Sequence, residues 1–154
     1  MAPRTWQARY ADRIATAAAA LEGVRDGQTV FVGSGAGEPL ALTRALVDLA
    51  PRRSDVEVFQ VAGGWASPTA ERPDLARHFR VRTVLGARPR AEEGGSGPDA
   101  LPIRLCDLPA ALASDLLRMD VALVQVSPPD EAGLCSLGVS VDVTRAAVES
   151  ARRV

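Results

Sequence analysis

The chain has 154 residues, of which 18 are basic and 19 acidic, so its formal net charge at pH 7 is −1. This length predicts one domain with a sizeable core. The near-zero charge argues against a protein that coats nucleic acid or an anionic membrane. All basic residues are Arg, which excludes lysine chemistry such as Schiff bases. The longest apolar runs, such as residues 121–126, are too short to cross a bilayer, and no export signal is evident, so we expect a cytoplasmic protein.

Two cysteines and a single histidine narrow the possible chemistry further. A zinc site needs about four clustered ligands, and this spacing offers none, so no metal site is expected. A nucleophilic pair of Cys135 and His78 is conceivable. Cys135 is interpreted more simply as a small packed residue, and His78 as a surface or cap residue on a short helix.

The predicted elements of the first half alternate between helix and strand. Apolar residues at steps of three and four predict one amphipathic helix over residues 5–23. A short buried strand is predicted at residues 29–32. Pro39 suits the first turn of a second helix, which Pro51 ends, and residues 56–61 form the next strand.

The second half continues the same alternation. Strands are predicted at residues 81–85, 101–105 and 120–126, with a helix at residues 108–117. Residues 88–98 have the composition of a flexible surface loop, and Asp142 would cap a last helix. Unbroken apolar runs are typical of strands covered on both faces. The prediction is therefore one α/β domain over residues 1–154, an open and mainly parallel sheet flanked by helices.

A glycine loop, residues 33–39 with the sequence GSGAGEP, joins the first strand to the second helix. Its glycines allow a sharp turn and a close ligand approach, and the helix start that follows favours an anion. The spacing fits neither the dinucleotide fingerprint nor the phosphate loop. A ligand loop and a tight structural turn therefore both remain open. Glu38 is a candidate catalytic carboxylate, although favouring the helix dipole is the simpler role.

A second loop, residues 127–142, follows the most strongly predicted strand at its carboxyl end, where open α/β sheets usually bind ligands. Its serines have no nearby base, which argues against a serine hydrolase. Polar anchoring of a ligand is the preferred interpretation. A rigid strand-to-helix connection remains the alternative.

The segments VALVQVSPPDEAGLCSLGVSVDVTRAAVESA and VRDGQTVFVGSGAGEPLALTRAL resemble the acetyl-CoA hydrolase/transferase family. This family includes acetate- and 4-hydroxybutyrate-type CoA-transferases, and the resemblance covers nearly the whole chain. It implies an N-terminal domain whose open α/β fold the family uses twice in tandem. The family commonly has a His where Ala132 stands here and an aromatic residue where Leu134 stands.

The resemblance also implies that catalysis and substrate contacts are shared between two domains. Family enzymes form a glutamyl-CoA thioester on a Glu of the C-terminal domain, and nothing in this chain corresponds to that domain. We therefore expect no catalytic residue here, inactivity in isolation, and a C-terminal domain or partner chain as a requirement. Acyl-CoA and a small carboxylate would be the substrates, with no permanently bound cofactor and no nucleic-acid or membrane partner. The implied substrate-side residues are Gly33, Ser34, Gly35, Gly37, Glu38, Pro39, Ser127, Gly133, Ser136 and Gly138.

Two other functions remain as alternatives. One is a non-catalytic acyl-CoA-binding or interaction module that keeps only the fold. The other is a different enzyme on a similar sheet, such as a sugar-phosphate isomerase, which would want an acid–base pair and a Lys or His that the sequence does not offer. A half-enzyme should expose an apolar face for its second domain, so we expect the isolated chain to form homo-oligomers.

Overall fold

A computed structural model describes residues 6–62, 72–85 and 98–154 of the chain. The strands of the described residues are β1 (Thr29–Val32), β2 (Val56–Ala62), β3 (Phe79–Leu85), β4 (Asp99–Ala100) and β5 (Val121–Leu123). They pair in parallel in the order β4-β3-β2-β1-β5. The predicted fold class, an open parallel α/β sheet, is confirmed. The loop predicted at residues 88–98 lies, apart from Pro98, outside the described residues.

Helices cover both faces of this sheet. The α-helices of the described residues are α1 (Trp6–Arg9), α2 (Ala17–Leu21), α3 (Leu40–Leu49), α4 (Leu108–Ala113) and α5 (Thr144–Ser150). None of them is long and apolar enough to span a bilayer. Because β1 lies between β2 and β5, it runs through the middle of the core, as its run of buried residues predicts.

Alternation along β1 divides the core into two layers. Val30 and Val32 belong to the cluster that packs under α2 and α3, which includes Leu21 and Leu46. Phe31 points to the opposite face, where α4 and α5 supply the cover. Its ring lies 6.2 Å from that of Phe59 on β2, centroid to centroid, in a tilted arrangement. Because β1 pairs in parallel with both β2 and β5, the carboxyl ends of these three strands lie at the same edge of the sheet.

The single helix predicted over residues 5–23 is wrong. The chain forms the short α1, a 3₁₀ turn at Ala11–Arg13 and then α2, with Ile14 in an extended conformation. Thr16 begins α2 as its cap, because its side-chain oxygen accepts the Ala19 N–H. No residue of α1 is buried, so no core contact holds the predicted stripe in one helix.

Three further boundaries differ from the prediction. No strand forms at residues 101–105, since β4 already ends at Ala100 and a 3₁₀ turn spans Leu105–Asp107. The strand predicted at residues 120–126 is confined to β5, and the helix predicted at residues 108–117 ends at Ala113. The apolar residues that predicted longer elements continue past these ends. The backbone hydrogen bonds of the strand and of the helix stop earlier.

The last helix begins without the predicted cap. Val143 is the N-cap residue of α5 and makes no side-chain cap bond, while Asp142 has a φ of +41° in the left-handed region. After α5 the chain returns to the sheet, where Arg153 pairs in parallel with Val121 and its carbonyl accepts the Ala122 N–H at 2.8 Å. Val154, which we expected on one apolar face of this helix with Val143, Ala147 and Ala151, lies beyond the end of α5 and is exposed.

Candidate functional site

The two loops that the sequence singles out meet at the carboxyl edge of the sheet. They are neighbours because they follow β1 and β5, which pair with each other. Between them lies an open cavity of about 240 Å³. It is lined by Ala36, Gly37, Gln125, Val126, Ser127, Ser136, Leu137, Gly138 and Val139. The edge position is the usual ligand position in open α/β sheets.

Close backbone approaches explain the glycines of the first loop. A Cβ at Gly33 would lie 2.7 Å from the Gly37 carbonyl oxygen, and a Cβ at Gly37 would lie 3.2 Å from atoms of Ser140. The turn between them is a 3₁₀ helix over Gly35–Gly37 that begins with Gly35 at a φ of +58°. The glycines therefore let the loop fold on itself and press against the second loop.

Ser34 ties the glycine loop to the sheet. Its side chain is buried, and its Oγ accepts the backbone N–H groups of Val61 at 3.1 Å and Ala62 at 3.4 Å. These donors belong to the end of β2. Ser34 thereby satisfies buried donors and fixes where the loop leaves the sheet.

A buried polar cluster lies beneath the glycine loop, between α3 and β2, and consists of Glu38, Thr43 and Gln60. Glu38 is 7% exposed and Gln60 is 1% exposed. Glu38 Oε1 and both amide atoms of Gln60 lack a hydrogen-bond partner, while the Thr43 hydroxyl donates to the Pro39 carbonyl. Burial raises the pKa of the Glu38 carboxyl, and the nearby Thr43 hydroxyl and Gln60 amide oppose that rise.

The second loop is closed by its own hydrogen bonds. The Ser127 N–H donates to the Ser136 carbonyl and the Ser136 N–H donates to Ser127 Oγ, both at 2.9 Å. Farther out, the Asp130 N–H donates to the Leu134 carbonyl at 2.9 Å, while Asp130 Oδ1 accepts the Leu134 N–H at 2.8 Å. We call residues 127–136 the closed loop. Its base lines the cavity, and its tip is residues 130–133.

The predicted site residues occupy different positions around the cavity. Gly37, Ser127, Ser136 and Gly138 line it. A buried group lies below, comprising Gly33, Ser34, Glu38 and Pro39. Gly35 faces Ser140, and Gly133 faces Tyr10 at the tip of the closed loop. Glu38 lies with Gln60 rather than on the cavity wall.

Sequence reasoning missed Gln60 and the apolar wall residues Val126, Leu137 and Val139. A polar side chain in the run Val58–Ala62, which is otherwise apolar, was the available signal for Gln60.

The conceivable nucleophilic pair of Cys135 and His78 does not form. His78 ends a 3₁₀ turn just before β3, and its Nδ1 lies 2.8 Å from the Arg53 carbonyl, near the amino end of β2. Cys135 follows β5 at the opposite, carboxyl edge, and it is exposed rather than packed. Within residues 6–62, 72–85 and 98–154, no three His, Cys, Asp or Glu side chains gather into a potential metal site.

Over residues 2–154 the sequence matches the family described as the acetyl-CoA hydrolase/transferase N-terminal domain. The chain belongs to this family. It is 34% identical over 151 residues to the 4-hydroxybutyrate coenzyme A transferase of Clostridium kluyveri, covering 97% of this chain and 35% of that protein. It is 33% identical over 136 residues to a succinyl-CoA:acetate/propanoyl-CoA:succinate CoA transferase of Fasciola hepatica, covering 85% of this chain and 27% of that one.

Solved structures agree with the family assignment. RipA from Yersinia pestis superposes with a TM-score of 0.83 at 28% identity, over 96% of this chain and 37% of RipA. The 4-hydroxybutyrate CoA-transferase of Porphyromonas gingivalis gives a TM-score of 0.74 at 26% identity, over 95% and 33% of the two chains. The chain thus has the N-terminal domain fold of the family and spans about a third of the length of these relatives.

Proposed function

We propose that this domain forms the substrate-side wall of a CoA transferase or acyl-CoA hydrolase acting on an acyl-CoA thioester and a small carboxylate. The observation that carries the proposal is the cavity of about 240 Å³ where the glycine loop meets the closed loop. Two relatives are named as CoA transferases, for 4-hydroxybutyrate and for succinyl-CoA with acetate. Coenzyme A enters this proposal as part of the substrate, with no permanently bound cofactor.

The cavity wall supplies hydrogen bonds but no nucleophile paired with a base. Ser136 Oγ accepts the Gly138 N–H at 3.1 Å, which leaves the hydroxyl proton to donate toward a ligand oxygen. The Ser127 hydroxyl donates to the Pro128 carbonyl at 3.1 Å instead. Glu38 is buried away from the wall. We therefore assign the carboxylate that would form a glutamyl-CoA thioester to a further domain or chain.

An apolar surface beside the cavity is the proposed docking surface for that further domain. It consists of Val126 and Val139, which also line the cavity, and of Leu134 and Val141 from the same loop; all four are exposed, and Val139 is 88% exposed. Exposed apolar patches are typical of an interface. The same surface supports our proposal that the isolated chain forms homo-oligomers. Sedimentation at micromolar concentration tests this, and a clean monomer would argue against it.

We also propose a cytoplasmic location. Cys106 and Cys135 are both exposed and unpaired. Free, exposed thiols are typical of reducing compartments.

Activity and binding assays on the purified chain test the proposal. With acetyl-CoA and a carboxylate acceptor, we expect no CoA transfer by the chain alone. Transfer should appear on adding the C-terminal two thirds of a related CoA transferase. Transfer by the chain alone would refute the assignment of the carboxylate to another domain.

A matched pair of variants locates the binding surface. Ala36→Leu places three extra carbons in the cavity, whereas Ala18→Leu makes the same change at an exposed position of α2. We expect Ala36→Leu to weaken acetyl-CoA binding at least fivefold by calorimetry, and Ala18→Leu to leave it unchanged. Equal affinities would remove the cavity from the proposal. Tight binding without transfer in any combination would favour the non-catalytic module instead.

A further inference from the structure

Arg9 and Tyr10, near the amino end of the chain, contact the tip of the closed loop. Arg9 Nη1 donates to the Glu131 carbonyl at 3.0 Å. The Tyr10 hydroxyl lies 2.6 Å from the position that a Cβ of Gly133 would occupy, while the Tyr10 Cζ atom lies 3.9 Å from it. Arg9 also stacks on the Tyr10 ring, with 5.5 Å between Cζ and the ring centroid. Arg9 and Tyr10 therefore both hold the tip of the closed loop. We call these two contacts, Arg9 with Glu131 and Tyr10 with Gly133, the grip.

This contact can reach the cavity because the closed loop is short and internally bonded. Gly133 donates its N–H to the Asp130 carbonyl at 3.0 Å, and Asp130 is bonded in turn to Leu134. The next pair along the loop is Ser127 with Ser136, whose side chains line the cavity. We expect a displaced tip to change the spacing of the two serines at the base, and the experiments below test this step.

We propose that Arg9 and Tyr10 are positioning residues for the cavity, holding the closed loop so that the Ser136 hydroxyl faces a ligand. No residue of α1 is buried, so the segment has few other contacts that fix its place. The part of the proposal that concerns the acyl-CoA ligand rests on the proposed function. The part that concerns the loop does not.

A pair of glycine substitutions tests the grip without any ligand. Gly133 and Gly138 have φ values of +82° and +74°, so alanine brings similar backbone strain at each. A Cβ at Gly138 meets nothing within 4 Å, whereas one at Gly133 collides with the Tyr10 hydroxyl. We expect Gly133→Ala to speed tryptic cleavage after Arg9 about tenfold and Gly138→Ala to leave it unchanged.

Removing the hydroxyl supplies the rescue. Because only Oη lies closer than 3.9 Å to the new Cβ, Tyr10→Phe combined with Gly133→Ala should return cleavage after Arg9 to near the wild-type rate. Equal cleavage rates for the two glycine variants, or no return to the wild-type rate with Tyr10→Phe, would show that the Tyr10 hydroxyl does not hold the tip of the closed loop.

Cys135 reports whether the change reaches the base of the loop, since it is exposed and adjoins Ser136. In a Cys106→Ser background, we expect Gly133→Ala to change the rate of alkylation at Cys135 at least threefold, with recovery in the double variant carrying Tyr10→Phe. Faster cleavage after Arg9 with an unchanged Cys135 rate would show that the segment does not position the base, and would overturn the proposal.

Acetyl-CoA titrations complete the test. We expect Gly133→Ala to weaken acetyl-CoA binding about fivefold, with recovery on adding Tyr10→Phe. Gly27→Ala serves as the control, since Gly27 has a φ of +71° and its Cβ would meet nothing within 4 Å. If the wild-type chain does not bind acetyl-CoA, the proposed function fails, and the cleavage and alkylation rates still decide the positioning role. Binding that is unaffected by Gly133→Ala would overturn positioning alone.

Discussion

The glycine loop and the closed loop share one cavity but are held in different ways. Gly33, Ser34 and Glu38 of the first loop are buried, and Ser34 bonds to the backbone of β2. Ser127 and Ser136 of the second are exposed and bond to each other. The first wall is thus part of the core, whereas the second is a surface feature. Substitutions in the glycine loop should therefore lower the global free energy of unfolding, whereas substitutions in the closed loop should change only the local geometry.

The largest expected effect is Gly33→Ala. Its Cβ would lie 2.7 Å from the Gly37 carbonyl oxygen, and because that atom is backbone, the glycine loop itself must move. We expect the free energy of unfolding to fall by about 2–3 kcal/mol in urea titrations. Gly23→Ala is the control, since the three atoms nearest to its Cβ belong to the movable guanidinium of Arg153, and it should cost less than about 1 kcal/mol. Equal costs would show that the loop is not constrained by its own packing.

Two serines with the same bonding role make the comparison direct. Ser34→Ala leaves the buried Val61 N–H and the partly buried Ala62 N–H without this acceptor, which should cost about 2 kcal/mol of unfolding free energy. Ser127→Ala removes the same kind of bond to the Ser136 N–H where water can replace it, so the cost should stay below about 1 kcal/mol. Thermal and urea unfolding measure both. A larger loss for Ser127→Ala would contradict the distinction between the two walls.

The sequence predicts the buried glycine loop better than the exposed closed loop and its contacts. Strand β1 and the glycine loop are evident from an apolar run followed by closely spaced glycines, because burial and backbone freedom leave direct marks on composition. The grip of Arg9 and Tyr10 leaves no such mark, since it joins positions 122 residues apart through a carbonyl. The helix predicted over residues 5–23 fails for a related reason: no residue in the α1 part of its apolar stripe is buried, whereas Leu21 of α2 packs in the core.

Gln60 extends the comparison to the polar cluster under the glycine loop. Gln60 is 1% exposed and neither of its amide atoms has a hydrogen-bond partner, a costly arrangement in a folded protein. Gln60→Leu keeps the approximate shape and removes the unsatisfied atoms, so we expect a gain of about 1 kcal/mol in the free energy of unfolding. Gln7→Leu, at an exposed position of α1, should change it by less than about 0.5 kcal/mol. A loss of stability with Gln60→Leu would show that the amide is satisfied in solution.

The smallest expected effect is a pH dependence at Glu38. Burial raises the pKa of its carboxyl above the ordinary value of 4.5, so the folded state holds the proton more tightly than the unfolded state does. The contribution of this group to stability is therefore fully present below pH 4.5 and is lost as the pH rises through the raised pKa. Glu38→Gln should flatten this part of the stability profile, measured by urea unfolding at a series of pH values. Asp12→Asn, at an exposed position, is the control and should leave this part of the profile in place. A profile unchanged by Glu38→Gln would mean that water reaches the carboxyl, and that the glycine loop is less firmly packed into the core than its burial indicates.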